Sequence, residues 1–308
     1  MGVLREKPER YCPRGSLVTG HTGTVPVTWF AHQAPAVGLK LARPRWFDGT
    51  ALCVGSIVPD TMISVTDDLG IDSHTLPSAV VIGLPLGLAL TWALRFVVAP
   101  MAPTVLPDVG PFRVHSYGVL AHRRPAARMT VVSVLIGIAT HIVMDWFTHN
   151  GRWVPSALGY DDAEVTWFGT TRTGPEALQI VGHITMSATT LALLWVLGRR
   201  RRLDEWYGPS AVERARTARL GAGAAVRFWL AIAVGAAIGS LWTAAFWVVA
   251  VERVALVVYV GSIVGAIWAR RAAGRPVTGS LGEERVPVRV GAVEAAEEIR
   301  PDDDRFVP

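Results

Sequence analysis

Apolar residues in this chain come in long blocks separated by short polar stretches. Ser78–Pro100, Met129–His149, Ala177–Gly198 and Ala225–Ala250 approach or exceed the roughly 20 residues that carry a helix across a bilayer core, and a shorter block runs from Val254 to Arg270. Pro26–Ile63 is less apolar. Its middle, "LKLARPRWFDG", carries turn residues, so the segment reads as a hairpin of two short helices. The pattern predicts an all-α, polytopic membrane bundle with five clear spans and an N-terminal pair of shorter, shallow or tilted helices.

Composition supports this reading, with 51% hydrophobic residues and a mean hydropathy of +0.34. A net charge of +5 could suggest a nucleic-acid partner. The basic residues, however, lie in loops between apolar blocks, where membrane topology accounts for them, so no nucleic-acid partner is expected. Cys12 and Cys53 form no metal or redox motif.

Short loops rich in Lys and Arg face the cytoplasm. Arg199–Arg202, the loop bearing Arg113, Arg123, Arg124 and Arg128, and Arg270–Arg271 all fall on one side if the blocks alternate across the membrane. The hairpin tip, with Lys40, Arg43 and Arg45, joins them. The other side receives "TDDLGIDSHTLP" and the slightly acidic "GRWVPSALGYDDAEVTWFGTTRTGPE". The expected organisation is a polar extension over 1–24, a membrane core over 25–198, a basic cytoplasmic loop over 199–224, a C-terminal helical pair over 225–270 and a disordered tail over 271–308. The extension has no apolar stretch of a signal peptide.

The stretch "GIATHIVMDWFTHNG" sets His141, Asp145 and His149 four residues apart on an otherwise apolar helix. A charged Asp centred in a bilayer costs about 2.5–3.5 kcal/mol on insertion scales, and such residues usually face the bundle interior with a partner. His141 and Asp145 share a helix face and can converge on one ion. His149 lies roughly 12 Å from His141 along the axis, which suits a second metal, a substrate contact or the interface. The topology brings His32, Asp60 and His74 to the same extracytoplasmic face. Imidazole and carboxylate ligands suit zinc, manganese or iron better than calcium. The plainer alternative is a hydrogen-bonded packing cluster.

The stretches "VPVTWFAHQAPAVGL", "ALCVGSIVPD", "DSHTLPSAVVIGLPLGLAL", "GIATHIVMDWFTHNG" and "EALQIVGHITMSATTLALLWVLG" resemble a bacterial membrane family catalogued as domain of unknown function 4184. The likeness runs from about Val25 to Gly198 and then fades. That family is similar to the membrane-bound metal-dependent hydrolases, which share an early His, a "PD" aspartate, an "HS"- or "HT"-type histidine and a helical HxxxD. The resemblance implies metal-site positions at His32, Asp60, His74, His141 and Asp145, with His149 as a companion. It also places "VP" where family members have "MP", so Val25 is the expected translation start. Residues 1–24, with Cys12 and His21, would then not be translated.

Other residues have plainer expected roles. Gln179 and His183 lie one turn apart near the site and suit helix–helix hydrogen bonding. His115 and His122 fall in the basic loop as solvent or headgroup contacts. Gly235 and Gly239 form a GxxxG pair, and "GLPLG" offers another close approach. Trp46, Trp153 and Trp167 fall at interfaces, and Arg95 snorkels from its span.

Three functions follow. The first is a metal-dependent hydrolase of a phosphoester or lipid-linked substrate at the outer leaflet, with zinc or manganese as the ion and Asp60 as bridging ligand or general base. Membrane lipids would be its neighbours and a lipid phosphate its substrate. The second is a divalent-metal binding or transport protein, and the third is a non-catalytic bundle. Nucleotide-binding and serine-hydrolase motifs are absent from the sequence.

Overall fold

The computed structural model describes residues 28–66, 69–122, 124–245 and 250–278. The N-terminal extension and the tail from 279 onward lie outside the described residues. Among the described residues, five helices are long and apolar enough to cross a membrane: Leu76–Val105, Ala127–Thr148, Gly174–Arg199, Ala222–Trp242 and Arg253–Ala272. Each overlaps an apolar block of the sequence, and the chain is a multi-pass all-α membrane bundle.

Local chemistry fixes where these helices begin. The Thr75 hydroxyl caps the first by accepting from the Ser78 amide, with Pro77 in its first turn. Thr173 and Glu176 form a complete capping box at the start of the third. The first long helix is irregular, with π turns at Ala79–Gly83 and Leu94–Val98 and a 3₁₀ turn at Ala99–Met101.

The N-terminal hairpin forms as expected, but each arm is broken. The first arm is Thr28–Ala31 followed by Gln33–Ala42; the second is Gly49–Gly55 followed by Val58–Thr66. Proline explains both breaks. Pro35 and Pro59 lack the N–H that would bond to the carbonyls of Ala31 and Gly55 four residues earlier. His32 sits at the first break and Asp60 just beyond the second. The carbonyls freed near the breaks find other donors: Thr190 Oγ1 donates to Phe30 O at 2.9 Å and His141 Nδ1 reaches Ser56 O at 2.8 Å.

The second long helix packs against the second arm of the hairpin. It meets Gly49–Gly55 backbone to backbone, since a Cβ on Gly137 would lie 2.4 Å from Leu52 O and one on Gly55 would lie 2.3 Å from Val134 O. Val54, Val58, Met62, Leu90, Val134 and Ile138 close the apolar core around this contact. The fourth and fifth long helices approach as closely. Gly235 and Gly239 face the Val254–Val257 turn, and Gly261 and Gly265 on the fifth helix return the contact against Phe228–Ile232. The expected GxxxG pair therefore has a counterpart on its partner helix. "GLPLG" also packs closely, with Gly87 against Val134.

One element was not anticipated, and two expectations are corrected. The segment after the second long helix contains a two-stranded antiparallel hairpin, Glu164–Trp167 with Thr170–Thr173. Its two-residue turn places Phe168 and Gly169 at positive φ, 50° and 77°. Arg95 does not snorkel: it is buried and paired with Asp48. Asp48 also caps Gly49–Gly55 and accepts from Thr130 Oγ1 at 2.8 Å, while its amide donates to Ser133 Oγ at 2.9 Å. His115 is buried as well, with Nε2 2.7 Å from Leu106 O, whereas His122 is exposed. Trp46, Trp153 and Trp167 are exposed beyond the ends of the long helices, as expected of interfacial indoles.

Candidate metal centre

Five of the six singled-out residues meet in one buried cluster. The second long helix contributes His141 and Asp145, one turn apart, with His141 Nε2 3.2 Å from Asp145 Oδ2. Asp60 enters from the second hairpin break, its Oδ1 3.3 Å from His141 Nε2. His74, two residues ahead of the first long helix, sets its Nε2 3.0 Å from Asp145 Oδ2, 3.2 Å from His141 Nε2 and 3.9 Å from Asp60 Oδ1. His32 stacks on the His141 ring with centroids 3.8 Å apart and reaches Asp145 Oδ1 at 3.8 Å. Among the described residues, the groups that could hold a metal ion are His32, His141 and Asp145, and Asp60, His74 and His141.

His149 lies at the edge. It ends the second long helix, its Nδ1 is 3.6 Å from Asp145 Oδ1, and its side chain is 35% exposed. Its Nε2 is 3.2 Å from Gln179 Nε2, so Gln179 serves the helix–helix hydrogen bonding expected of it. His183 lies within electrostatic reach of His32 and His149.

The outer contacts decide which ring atoms face inward. A backbone carbonyl only accepts, so the 2.8 Å contact to Ser56 O makes His141 Nδ1 a donor and directs Nε2 into the cluster. Ser73 Oγ occupies His74 Nδ1 at 2.9 Å, which likewise leaves Nε2 inward. Asp72 Oδ1 accepts from the His74 amide at 2.8 Å and fixes the turn. The sequence reading missed Ser56 and Ser73. Ser73 stands beside His74 in "DSHT", but Ser56 acts through its carbonyl, which no side-chain motif reveals.

Asp60 Oδ1, His74 Nε2, His141 Nε2 and Asp145 Oδ2 are therefore gathered with few donors among them. The burial is nearly complete, with Asp145 4% and His141 0% exposed. Asp60 Oδ2 and His32 Nδ1 are buried without a hydrogen-bond partner among the described residues. Two carboxylates at this depth are costly unless compensated by positive charge. Ligand atoms around a tetrahedral ion with bonds of about 2.0 Å lie roughly 3.3 Å apart, close to the separations found here. The residues present fit a bound divalent ion.

The model of a family described as "Domain of unknown function (DUF4184)" matches residues 25–271. The chain belongs to this family, and the match extends through the C-terminal helical pair, beyond Gly198 where the resemblance was expected to fade. No curated protein matches the chain, and no solved structure does.

Proposed function

We propose that this cluster holds a divalent transition metal, zinc or manganese, and that the protein is a membrane-embedded metal-dependent hydrolase of a phosphoester or lipid-linked substrate. The observation that carries the reading is the inward convergence of two imidazole nitrogens and two carboxylates at 3.0–3.9 Å. His74, His141 and Asp145 are the core ligands, with His32 completing the set. Asp60 is either a further ligand or the general base.

When bound, the ion lowers the pKa of a coordinated water and polarises the scissile group. The chain supplies the rest. Asp60 Oδ2 has no competing hydrogen bond among the described residues, which supports a role in taking a proton from the attacking water. Ser56 and Ser73 hold the two imidazoles in the ligating orientation. His149 and Gln179 form a partly exposed polar rim where substrate enters. Val54, Val134 and Ile138 close the bundle between this site and the Asp48–Arg95 pair, which favours a one-ended site over a conduit for ions. The basic loops at the other end support an extracytoplasmic site under the positive-inside rule.

The test is a metal count by elemental mass spectrometry on full-length protein purified in detergent without chelator. At least about one transition metal per chain is expected in the wild type. His141→Ala and Asp145→Asn should lose it, while His149→Ala keeps it. Metal-dependent cleavage of phosphoesters or lipid phosphates should then disappear in Asp60→Asn. Metal-free wild-type protein that is as stable as the variants sinks the reading.

A further inference from the structure

At the other end of the second long helix lies a cavity of about 580 Å³. It is bounded by the hairpin turn, the segment leading into that helix, and the short helix Arg202–Tyr207. Lys40, Arg45, Arg124 and Arg202 line it, with Trp206 and Tyr207.

Charge accounting separates the occupied cations from the available ones. Arg202 is matched by Glu205 at 2.6 Å. The Asp48 carboxylate at the cavity wall is already taken by Arg95. Lys40 Nζ donates to the carbonyls of Pro44 and Phe47 at 2.6 and 2.8 Å and lies 4.7 Å from the Trp206 ring centre. It is positioned as a fixed positive charge with one donor left. Arg45 and Arg124 are exposed and have no carboxylate partner among the described residues. Arg124 lies over the face of Phe96, at 5.5 Å.

The surroundings specify the kind of anion. The cavity adjoins the ends of three apolar segments: Lys40 ends a hairpin helix, Met129 begins the second long helix, and Arg202 follows the third. That is headgroup depth in a spanning bundle. Leu41, Pro125 and Met129 give it an apolar side, and the neighbouring Trp46 is 71% exposed, as suits an indole at the membrane surface. Guanidinium groups bind phosphate oxygens in bidentate fashion, and basic pockets between membrane helices take anionic headgroups.

We propose that this cavity is a phosphate-binding site in which Arg45 and Arg124 grip a phosphate group from the headgroup of an anionic phospholipid or from a soluble phosphate ester. Lys40 adds field strength, and Trp206 with Tyr207 shapes the wall. The site is separate from the His/Asp cluster and does not depend on that cluster holding a metal.

The experiment is native mass spectrometry of the full-length protein in detergent, titrated with phosphatidylglycerol and, separately, phosphatidylcholine. Each titration is repeated with inorganic phosphate or glycerol phosphate as competitor. Arg45→Gln/Arg124→Gln is compared with a charge-matched control, Arg200→Gln/Arg271→Gln, which lies outside the cavity. The expected result is preference for phosphatidylglycerol, weakened by on the order of tenfold or more in the cavity variant and unchanged in the control. Insensitivity to the soluble competitors identifies the lipid as the source. Displacement by them identifies a soluble phosphate ester and equally supports the site. Equal binding by wild type and cavity variant, or equal loss in both variants, overturns the proposal.

Discussion

Near its start, the second long helix presents Thr130 and Ser133 to Asp48, whose carboxylate faces the Arg95 guanidinium. Near its end, the same helix presents His141 and Asp145 to Asp60 and His74. Both groups are buried, and both join residues distant in sequence. In the first, the carboxylate has an in-chain cation and accepts from the Thr130 hydroxyl and the Ala51 amide, so the charges close within the protein. In the second, acceptors converge and two buried polar atoms have no partner. Burial alone marks neither group as functional. The contrast that points to a ligand is whether the chain supplies the balancing charge itself.

The comparison can be broken most severely at the self-sufficient end. Asp48→Ala leaves Arg95 buried without its partner and should cost about 3–5 kcal/mol; Asp48→Ala/Arg95→Met should recover much of that loss. Denaturant unfolding in micelles, followed by circular dichroism, measures both. Unchanged stability in Asp48→Ala would show that the pair is not needed to hold the hairpin.

On the metal reading, the His/Asp end should respond to its surroundings instead. Chelator should lower the unfolding midpoint of the wild type, since free metal at a hundredfold over its Kd contributes about 2.7 kcal/mol. Asp145→Asn should be insensitive to chelator, and in metal-free protein at least as stable as the wild type. A wild type that ignores chelator erases the difference between the two ends.

The contact between the ends gives a smaller effect. Gly137→Ala forces a methyl group against Leu52 O and Gly55 and should cost about 1–3 kcal/mol by overpacking. It should also weaken metal retention, because Ser56 must shift. Full metal content in a destabilised Gly137→Ala protein would separate packing from site geometry.

The weakest test is a surface control. Burial pushes the Asp108 carboxyl up, but the hydrogen bonds from Arg216 and the His115 amide outweigh it and hold the pKa below the ordinary 3.8. A depressed carboxylate stabilises the fold above its unfolded pKa and loses that effect as pH falls through the folded value. Asp108→Asn should therefore lower the midpoint slightly at neutral pH, with the gap to wild type closing below about pH 4. A gap that persists in acid would assign the effect to packing.

The sequence made much of this visible. Hydropathic blocks located all five long helices, because solvation of a spanning segment is a property of composition, though the fourth block ran past the end of its helix. The six ionisable residues stood out because an apolar background makes them expensive. The four-residue spacing placed His141 and Asp145 together, and helical rise separated His149 from His141. Pairings across the fold were less visible. Arg95 looked like a snorkelling residue since nothing local announces Asp48 as its partner. His115 looked solvated because its acceptor is a backbone carbonyl. The hairpin breaks were readable from Pro35 and Pro59 but were missed, since the segment was judged by its average apolarity.

The helix Gly49–Gly55 has a consequence beyond its packing. Its leading residue, Asp48, is anchored at one cluster, and the carbonyl of its trailing residue, Ser56, holds His141 at the other. It therefore behaves as a gauge block whose length sets a distance between two fixtures. Adding one alanine inside it would turn Ser56 by about 100° and advance it about 1.5 Å. No ligand would have changed, yet His141 would lose its hold. Tolerance to insertion should be lowest in a stretch that contains no site side chain at all.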